Sequence, residues 1–200
     1  MIFTKQKSSA TQGDTIVEVV FAFAVFSLVA VGALAIINKG AAIAQRALEI
    51  TLVRDQINGQ AEALRYLHDA YVASYDRNIS VMSNNKGNPA QKWRFITQYT
   101  TDTTQANTEC NFGSTTFNRA FVINVSPGKA LDIVTDNPIL PEVYARVNEN
   151  GAPEGLWVQA VGGTSGGVSF TDFYIRACWY SIGQTVPVTI GTIVRLYEPS

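Results

Sequence analysis

The chain is 200 residues long and carries 15 basic against 16 acidic side chains, with one histidine and two cysteines. This length admits one globular domain together with an extended element, and the near-neutral charge argues against the basic surface that nucleic-acid binding requires. A zinc site would have to combine the one histidine with two distant cysteines, which matches no metal-ligand spacing. No nucleophile motif accompanies His68. The sequence therefore predicts a protein that is not an enzyme and that uses no metal or cofactor.

Residues 1–13 form a short basic leader that contains Lys5 and Lys7 and no acid. This positive charge predicts that the N-terminus stays in the cytoplasm. An uncharged apolar run follows at residues 19–37, and as a helix it would reach roughly 28 Å, close to the hydrocarbon thickness of a bilayer. Glu18 stands at the edge of this run. Because an acid costs about 2.5 kcal/mol or more near the bilayer centre, Glu18 requires a partner.

The junction from Gly13 to Glu18 resembles the signature of type IV prepilins. In that family a basic leader ends in glycine, the next residue becomes the mature N-terminus, and a glutamate stands at the fifth mature position. Here these residues are Gly13, Asp14 and Glu18. The resemblance implies cleavage by a prepilin peptidase after Gly13 and methylation of the new terminus, although family members usually have Phe or Met where this chain has Asp14.

The resemblance also implies how the mature subunit is used. It would wait in the cytoplasmic membrane, surrounded by lipid, as a single-pass protein with its N-terminus inside. Pilus assembly machinery would then extract it into an extracellular filament of pilin subunits that serves adhesion or twitching motility. In the filament Glu18 would pair with the α-amino group of a neighbouring subunit's Asp14, because a buried charge left single is costly.

Two other interpretations remain open. A type II secretion-type pseudopilin would share the N-terminal third, and a calcium-holding C-terminal loop would favour it, but the sequence has no EF-hand-like spacing. A signal-anchored or secreted adhesion domain would never polymerise, and Ala33-Leu34-Ala35 offers it a cleavage site of the A-x-A type. A mature terminus at Asp14 would indicate the pilin class, at Met1 an anchor, and after Ala35 a secreted domain.

Helix-forming residues dominate from residue 14 to about residue 82. The first half, residues 14–45, is apolar all round and rich in small residues, which allow close helix packing in lipid. The second half, residues 46–82, is amphipathic and is expected to dock on the head domain, with His68 as a packing residue beside its apolar stripe. The predicted stripe consists of Ile50, Val53, Ile57, Gln60, Leu64, Leu67, Tyr71 and Ser74. The predicted charged face consists of Arg46, Glu49, Arg54, Asp55, Glu62, Arg65 and Asp69.

Residues 83–200 predict a β-rich head, so the predicted fold class is α+β, with a long N-terminal helix packed on a C-terminal antiparallel sheet. β-Branched and aromatic residues predict strands at residues 94–99, 120–125, 155–161, 170–181 and 190–197. The last two are expected to pair antiparallel through a link at residues 183–187. The tract 162–167 is expected to be a loop, and so are residues 100–116 and 126–153, the latter with a short helix near 141–147. The head is expected to bury its three tryptophans, Trp93, Trp157 and Trp179.

Cys110 and Cys178 are predicted to form a disulfide, because two cysteines in an extracytoplasmic domain pair more often than not. On the chain-entropy account, closing this loop would contribute roughly 4 kcal/mol. The alternative is a pair of unbonded thiols, with Cys178 packed in the core between Ala177 and Trp179.

Overall fold

A computed structural model describes residues 14–76, 87–100, 119–124, 131–135, 155–181 and 183–199. The described residues form two helices, α1 (Asp14–Asp76) and α2 (Pro89–Gln98), and five strands, β1 (Ala120–Asn124), β2 (Asp132–Thr135), β3 (Gly155–Ser165), β4 (Val168–Trp179) and β5 (Val188–Tyr197). The chain divides into two compact units, Met1–Gln45 and Arg46–Ser200. A long N-terminal helix followed by an antiparallel sheet confirms the predicted α+β class.

The apolar stripe predicted for the second half of α1 is confirmed. The stripe residues that are buried are Val53, Ile57, Gln60, Leu64, Leu67 and Tyr71. Ile50 packs against the same cluster, and each large apolar side chain buried in this way contributes about 1.5–3 kcal/mol. On the exposed face Glu62 and Arg65 form an ion pair. The last residue of α1 is Asp76, and the predicted continuation to about residue 82 lies outside the described residues.

The five strands form one sheet in the order β2-β1-β3-β4-β5, and every neighbouring pair is antiparallel. Four strands, β1, β3, β4 and β5, lie where the sequence predicted them. The expected loop at 162–167 is wrong, because β3 extends to Ser165. It joins β4 through a two-residue turn in which Gly166 and Gly167 have φ of 61° and 84°, a conformation that glycine adopts without strain in a tight hairpin.

The strand predicted at residues 94–99 is wrong, because this segment belongs to α2. Asn88 caps the helix by accepting a hydrogen bond from the Gln91 backbone N–H, and the Gln91 side chain accepts one from the Asn88 backbone N–H. Pro89 occupies the first helical position, where its missing N–H costs nothing. This capping box outweighs the strand preference of Trp93 and Phe95.

Strand β2 lies inside the segment 126–153, which was expected to be a loop. It has four residues, and Ile133, which pairs with Ile123 of β1, is buried. A strand of this length carries too little alternation to be recognised in a sequence. The other parts of the expected loops, and the expected helix at 141–147, lie outside the described residues.

The core of the second unit lies between α1, α2 and one face of the sheet. Trp93 of α2 and Trp179 of β4 belong to this cluster, whereas Trp157 lies against Ala120 and Cys178 in a smaller one. All three tryptophans are buried to within 1% of full burial, which confirms the expectation that they are core residues.

Candidate functional site

The first unit presents an apolar helical surface. Between residues 16 and 45 every side chain is exposed apart from the half-buried Ala30 and Ala42. The exposed residues include Phe21 and Leu28, at 70% and 76% exposure. By length and composition this helix can cross a membrane. A continuous apolar surface of this kind marks a membrane or protein contact, because soluble proteins rarely leave one in water.

Glu18 interrupts this surface near its N-terminal end. It lies in α1 one turn after Asp14, the first residue of the helix, and it is exposed. No other charged residue occurs between residues 15 and 38. A carboxylate near a helix N-terminus is favoured by the helix dipole, but in lipid or in a protein interior it still needs a cationic partner.

The small residues of the same segment leave room on the helix surface. A Cβ built on Gly32 or on Gly40 would meet no atom within 4 Å, so neither glycine is required by a contact within the described chain. Another helix can therefore approach the backbone closely at these two points, which is how helices associate where the hydrophobic effect offers little gain.

Of the remaining predicted site residues, one is described by the structure and two are not. Gly13 and Cys110 lie outside the described residues. Cys178 is fully buried on β4 and is not a free thiol, and Thr189 Oγ1 lies 3.7 Å from its sulfur. The predicted pairing of Cys110 with Cys178 stays a prediction.

Glu49 does not lie on the solvent face where it was predicted. Its carboxylate accepts hydrogen bonds from Trp179 Nε1 at 3.1 Å and from Ser181 Oγ at 2.7 Å. The sequence carries a signal for this position, because Glu49 precedes Val53 by four residues and therefore shares its face of the helix. These bonds fix the start of the amphipathic half of α1 to the end of β4.

Gln60 is the polar member of the apolar stripe, and its side chain serves as a substitute strand neighbour. Its Nε2 donates to the Ile123 carbonyl at 2.6 Å, and its Oε1 accepts from the Ile123 N–H at 2.9 Å. Strand β1 pairs with β3 only at Ala120 and Phe121 among the described residues. Beyond that point the amide of Gln60 supplies the hydrogen-bond partners of the Ile123 main chain. Sequence reasoning placed Gln60 on the stripe without finding this role.

His68 joins α1 to the last strand. Its Nε2 lies 2.8 Å from the Tyr197 carbonyl oxygen and so donates a proton to it, and its ring meets Trp93 edge-on at 4.9 Å. Nδ1 lies 3.5 Å from the Asp69 carboxylate. The ring is thus a packing and bonding element at the edge of the core, which agrees with its predicted position beside the stripe.

Acidic residues of the described sheet are engaged in ion pairs. Arg195 donates from Nε and Nη2 to both Asp172 oxygens at 2.7 Å, and these bonds raise the pKa of Arg195. Lys92 bonds the Leu131 carbonyl and lies 3.5 Å from Asp132. Within the described ranges, no three His, Cys, Asp or Glu side chains are grouped to hold a metal ion.

Comparison with known proteins identifies no relative, so a function can be proposed only from the residues described above. No protein-family model, no curated protein and no solved structure matches the chain.

Proposed function

We propose that this chain is a type IV pilin-like structural subunit, cleaved after Gly13 by a prepilin peptidase and polymerised through the first half of α1 into an extracellular filament. The observation that carries the proposal is the exposed apolar surface of residues 16–45, with Glu18 as its one acidic side chain. Before assembly the cytoplasmic membrane covers this surface. After assembly the same surface of neighbouring subunits covers it.

The second half of α1 supports this division of roles. Its apolar stripe is covered by the sheet of the same chain, so the head can fold without a partner, while the first half requires one. A filament subunit needs both properties in one helix. An anchor needs a hydrophobic span alone, and it has no use for the open backbone surfaces at Gly32 and Gly40.

Glu18 supplies the specificity of the proposed assembly. Its partner is the α-amino group of a neighbouring subunit's Asp14, which cleavage after Gly13 creates. A buried carboxylate that lacks this amine keeps its full desolvation cost, whereas the paired one does not. The pair therefore favours one register of helix against helix, which apolar contacts alone do not distinguish.

The decisive experiment substitutes Glu18 in cells that lack the wild-type protein. Glu18→Val should insert into the membrane and be cleaved normally, because the apolar run becomes longer, yet the subunit should be absent from sheared filaments. Glu18→Gln, which keeps the shape without the charge, should assemble at an intermediate level. The measurement is the ratio of subunit in sheared filaments to subunit in membranes.

A second variant tests whether the position of the acid matters, or only its presence in the segment. The double variant Glu18→Val with Val19→Glu keeps one acid in the segment but moves it by about 100° around the helix. It should fail to assemble as completely as Glu18→Val. Assembly of either variant at the wild-type level would refute the proposed pairing and leave the helix pattern alone as support for a polymerising subunit, which is not enough.

The mature N-terminus distinguishes the proposed function from its alternatives. Mass spectrometry of the membrane-extracted protein should find a chain that begins at Asp14, with or without methylation. A chain that begins at Met1 would indicate a signal anchor, and one that begins after Ala35 would indicate a secreted adhesion domain. A pseudopilin would share the Asp14 terminus and would be recognised by its absence from sheared surface filaments.

A further inference from the structure

Strand β5 is an edge strand of the described sheet. Along its outer edge, main-chain N–H and C=O groups point away from β4. The Glu198 N–H donates to the Ser169 carbonyl at 2.9 Å, in the same register as the β4–β5 ladder. Because antiparallel ladders alternate, the even-numbered residues of β5 bond to β4 and the odd-numbered ones point outward. The Tyr197 carbonyl agrees with this alternation, since it faces His68 on α1.

This outer edge is unprotected in the described part of the protein. Gly191, Ile193 and Arg195 have no outward main-chain partner among the described residues, and Ile193 is 58% exposed. Proteins usually protect such edges with proline, lysine or very short strands. β5 has ten residues and neither of those residue types, and its one charged side chain, Arg195, is held by Asp172.

A hollow lies on each face of the sheet at the same point of this edge. The hollow on the outer face, approximately 260 Å³, is lined by Tyr174, Arg176, Thr189 and Ile193. The hollow on the helix-facing side, approximately 410 Å³, is lined by Arg54, Ile57 and Asn58 of α1. Both hollows reach the same three residues of β5, Ile190, Gly191 and Thr192.

Gly191 is required at the centre of this arrangement. A Cβ at this position would lie 2.7 Å from the Ile175 carbonyl oxygen and 3.0 Å from Arg176 Cγ. Glycine therefore lets β4 and the base of the Arg176 side chain lie close to β5 at this point.

We propose that the outer edge of β5 binds an extended segment of another protein as an added strand, whose successive side chains enter the two hollows in turn. Consecutive residues of a strand point to opposite faces, so a segment paired with Gly191 and Ile193 reaches both hollows at once. In such complexes main-chain hydrogen bonds supply affinity and the alternate pockets supply specificity. This site is independent of the proposed filament contact, which lies in the first unit.

The lining of the hollows defines the chemistry of the segment. On the helix-facing side, buried Ile57 forms the floor, and exposed Arg54 and Asn58 form the rim. No carboxylate pairs with Arg54 among the described residues, so this hollow fits an acidic side chain. On the outer face, the Arg176 guanidinium lies 5.0 Å over the Tyr174 ring, so exposed Ile193 provides the apolar contact for the side chain that enters this hollow. The segment therefore alternates acidic and apolar residues.

A second copy of β5 is a poorer occupant than an acidic segment. β5 contains no acidic residue and one basic residue, so a paired copy would bring no carboxylate to Arg54. Charge complementarity therefore favours a different protein that carries an acidic, β-forming stretch.

The test uses the full chain in detergent micelles and a fluorescein-labelled, end-capped peptide of sequence Thr-Glu-Val-Glu-Val-Thr, with binding measured by fluorescence anisotropy. The peptide should bind, and its Gln-for-Glu version should bind about two- to five-fold more weakly, as expected for an exposed ion pair. A version with N-methylated valines should not bind, because the methyl groups replace the N–H groups that face β5. Equal binding of the N-methylated version, or no binding of the parent peptide, would overturn the proposal.

Two protein variants locate the site. Ile193→Pro removes one outward N–H without removing a bond to β4, and it should abolish binding. Arg54→Gln, a change at an exposed position, should remove the preference for the Glu peptide over the Gln peptide, whereas the matched control Arg46→Gln should keep it. An unchanged preference in Arg54→Gln would refute the assignment of the acidic side chain.

Amide exchange and oligomeric state decide what covers the edge. The amides of Gly191 and Ile193 should exchange rapidly in the chain alone and become protected when the peptide is added. Protection before peptide addition would overturn the proposal, because the edge would then already be covered. A concentration-dependent dimer that Ile193→Pro abolishes would also overturn it, in favour of a second copy.

Discussion

Replacing Gln60 by leucine should destabilise the head far more than the same substitution at a solvent-facing position of a helix would. Gln60 is 2% exposed and provides both hydrogen bonds for the main chain of Ile123. Gln60→Leu leaves a buried N–H and a buried C=O without partners. Each orphaned group costs about 1–3 kcal/mol, so the free energy of unfolding should fall by about 2–5 kcal/mol after a small gain from the added apolar surface.

The stability of the Gln60→Glu variant should depend on pH. A protonated carboxyl can replace the amide, with O–H donating to the Ile123 carbonyl and C=O accepting from its N–H, whereas an ionised carboxylate would face that carbonyl with a buried charge. The pKa of this glutamate in the folded state therefore lies above its value in the unfolded chain, about 4.3. The variant should approach wild-type stability below that pH and lose stability as the pH rises through the folded-state pKa.

The assay is urea unfolding of residues 46–200, followed by the fluorescence of the three buried tryptophans. Glu62→Gln, at an exposed position of the same helix, is the control and should change stability by less than about 1 kcal/mol. A loss below about 1 kcal/mol for Gln60→Leu, or a pH-independent stability of Gln60→Glu, would show that the Ile123 main chain does not depend on this amide.

Three further outcomes are expected. Gly13→Val should leave the leader attached and keep the protein out of sheared filaments, as shown by N-terminal sequencing; normal incorporation would exclude the prepilin assignment. Glu49→Ala should lower the free energy of unfolding by about 1–3 kcal/mol, because it deprives the Trp179 indole of its acceptor, and Glu49→Gln should lower it less in the same urea assay. Maleimide should label neither Cys110 nor Cys178 in the denatured, unreduced protein and both after reduction; two labels before reduction would contradict the disulfide.

Local pattern was sufficient for the elements whose signal extends over many residues. The 3.6-residue period from Ile50 to Tyr71 identified the buried face of α1, because seven positions repeat the same signal. It was insufficient where two local signals compete. Trp93 and Phe95 favour a strand, whereas the cap at Asn88 favours a helix, and the cap prevailed because it satisfies main-chain groups that a strand would have to pair elsewhere.

The polar contacts of the head were beyond local inference. Gln60 and Ile123 are 63 residues apart, and Glu49 lies 130 residues from Trp179. Nothing adjacent to either partner in the sequence specifies the other, since each bond depends on the completed sheet order. The face of Glu49 could be predicted from its spacing to Val53, but its acceptor role could not.

The bond between His68 and Tyr197 has a consequence for how the chain is made. It joins residues 129 positions apart, and the Glu49 contacts join residues 130 and 132 positions apart, so the bonds that fix α1 to the last two described strands are all long-range. Such topologies fold slowly, because loop closure precedes any gain from contact. During synthesis the stripe of α1 leaves the ribosome long before β4 and β5 exist to cover it, and the nascent chain carries an exposed apolar face until these strands are made. If the apolar first half of α1 enters a bilayer early, as proposed, it would hold one end of this face at the membrane while β4 and β5 are made, and it would thereby aid folding.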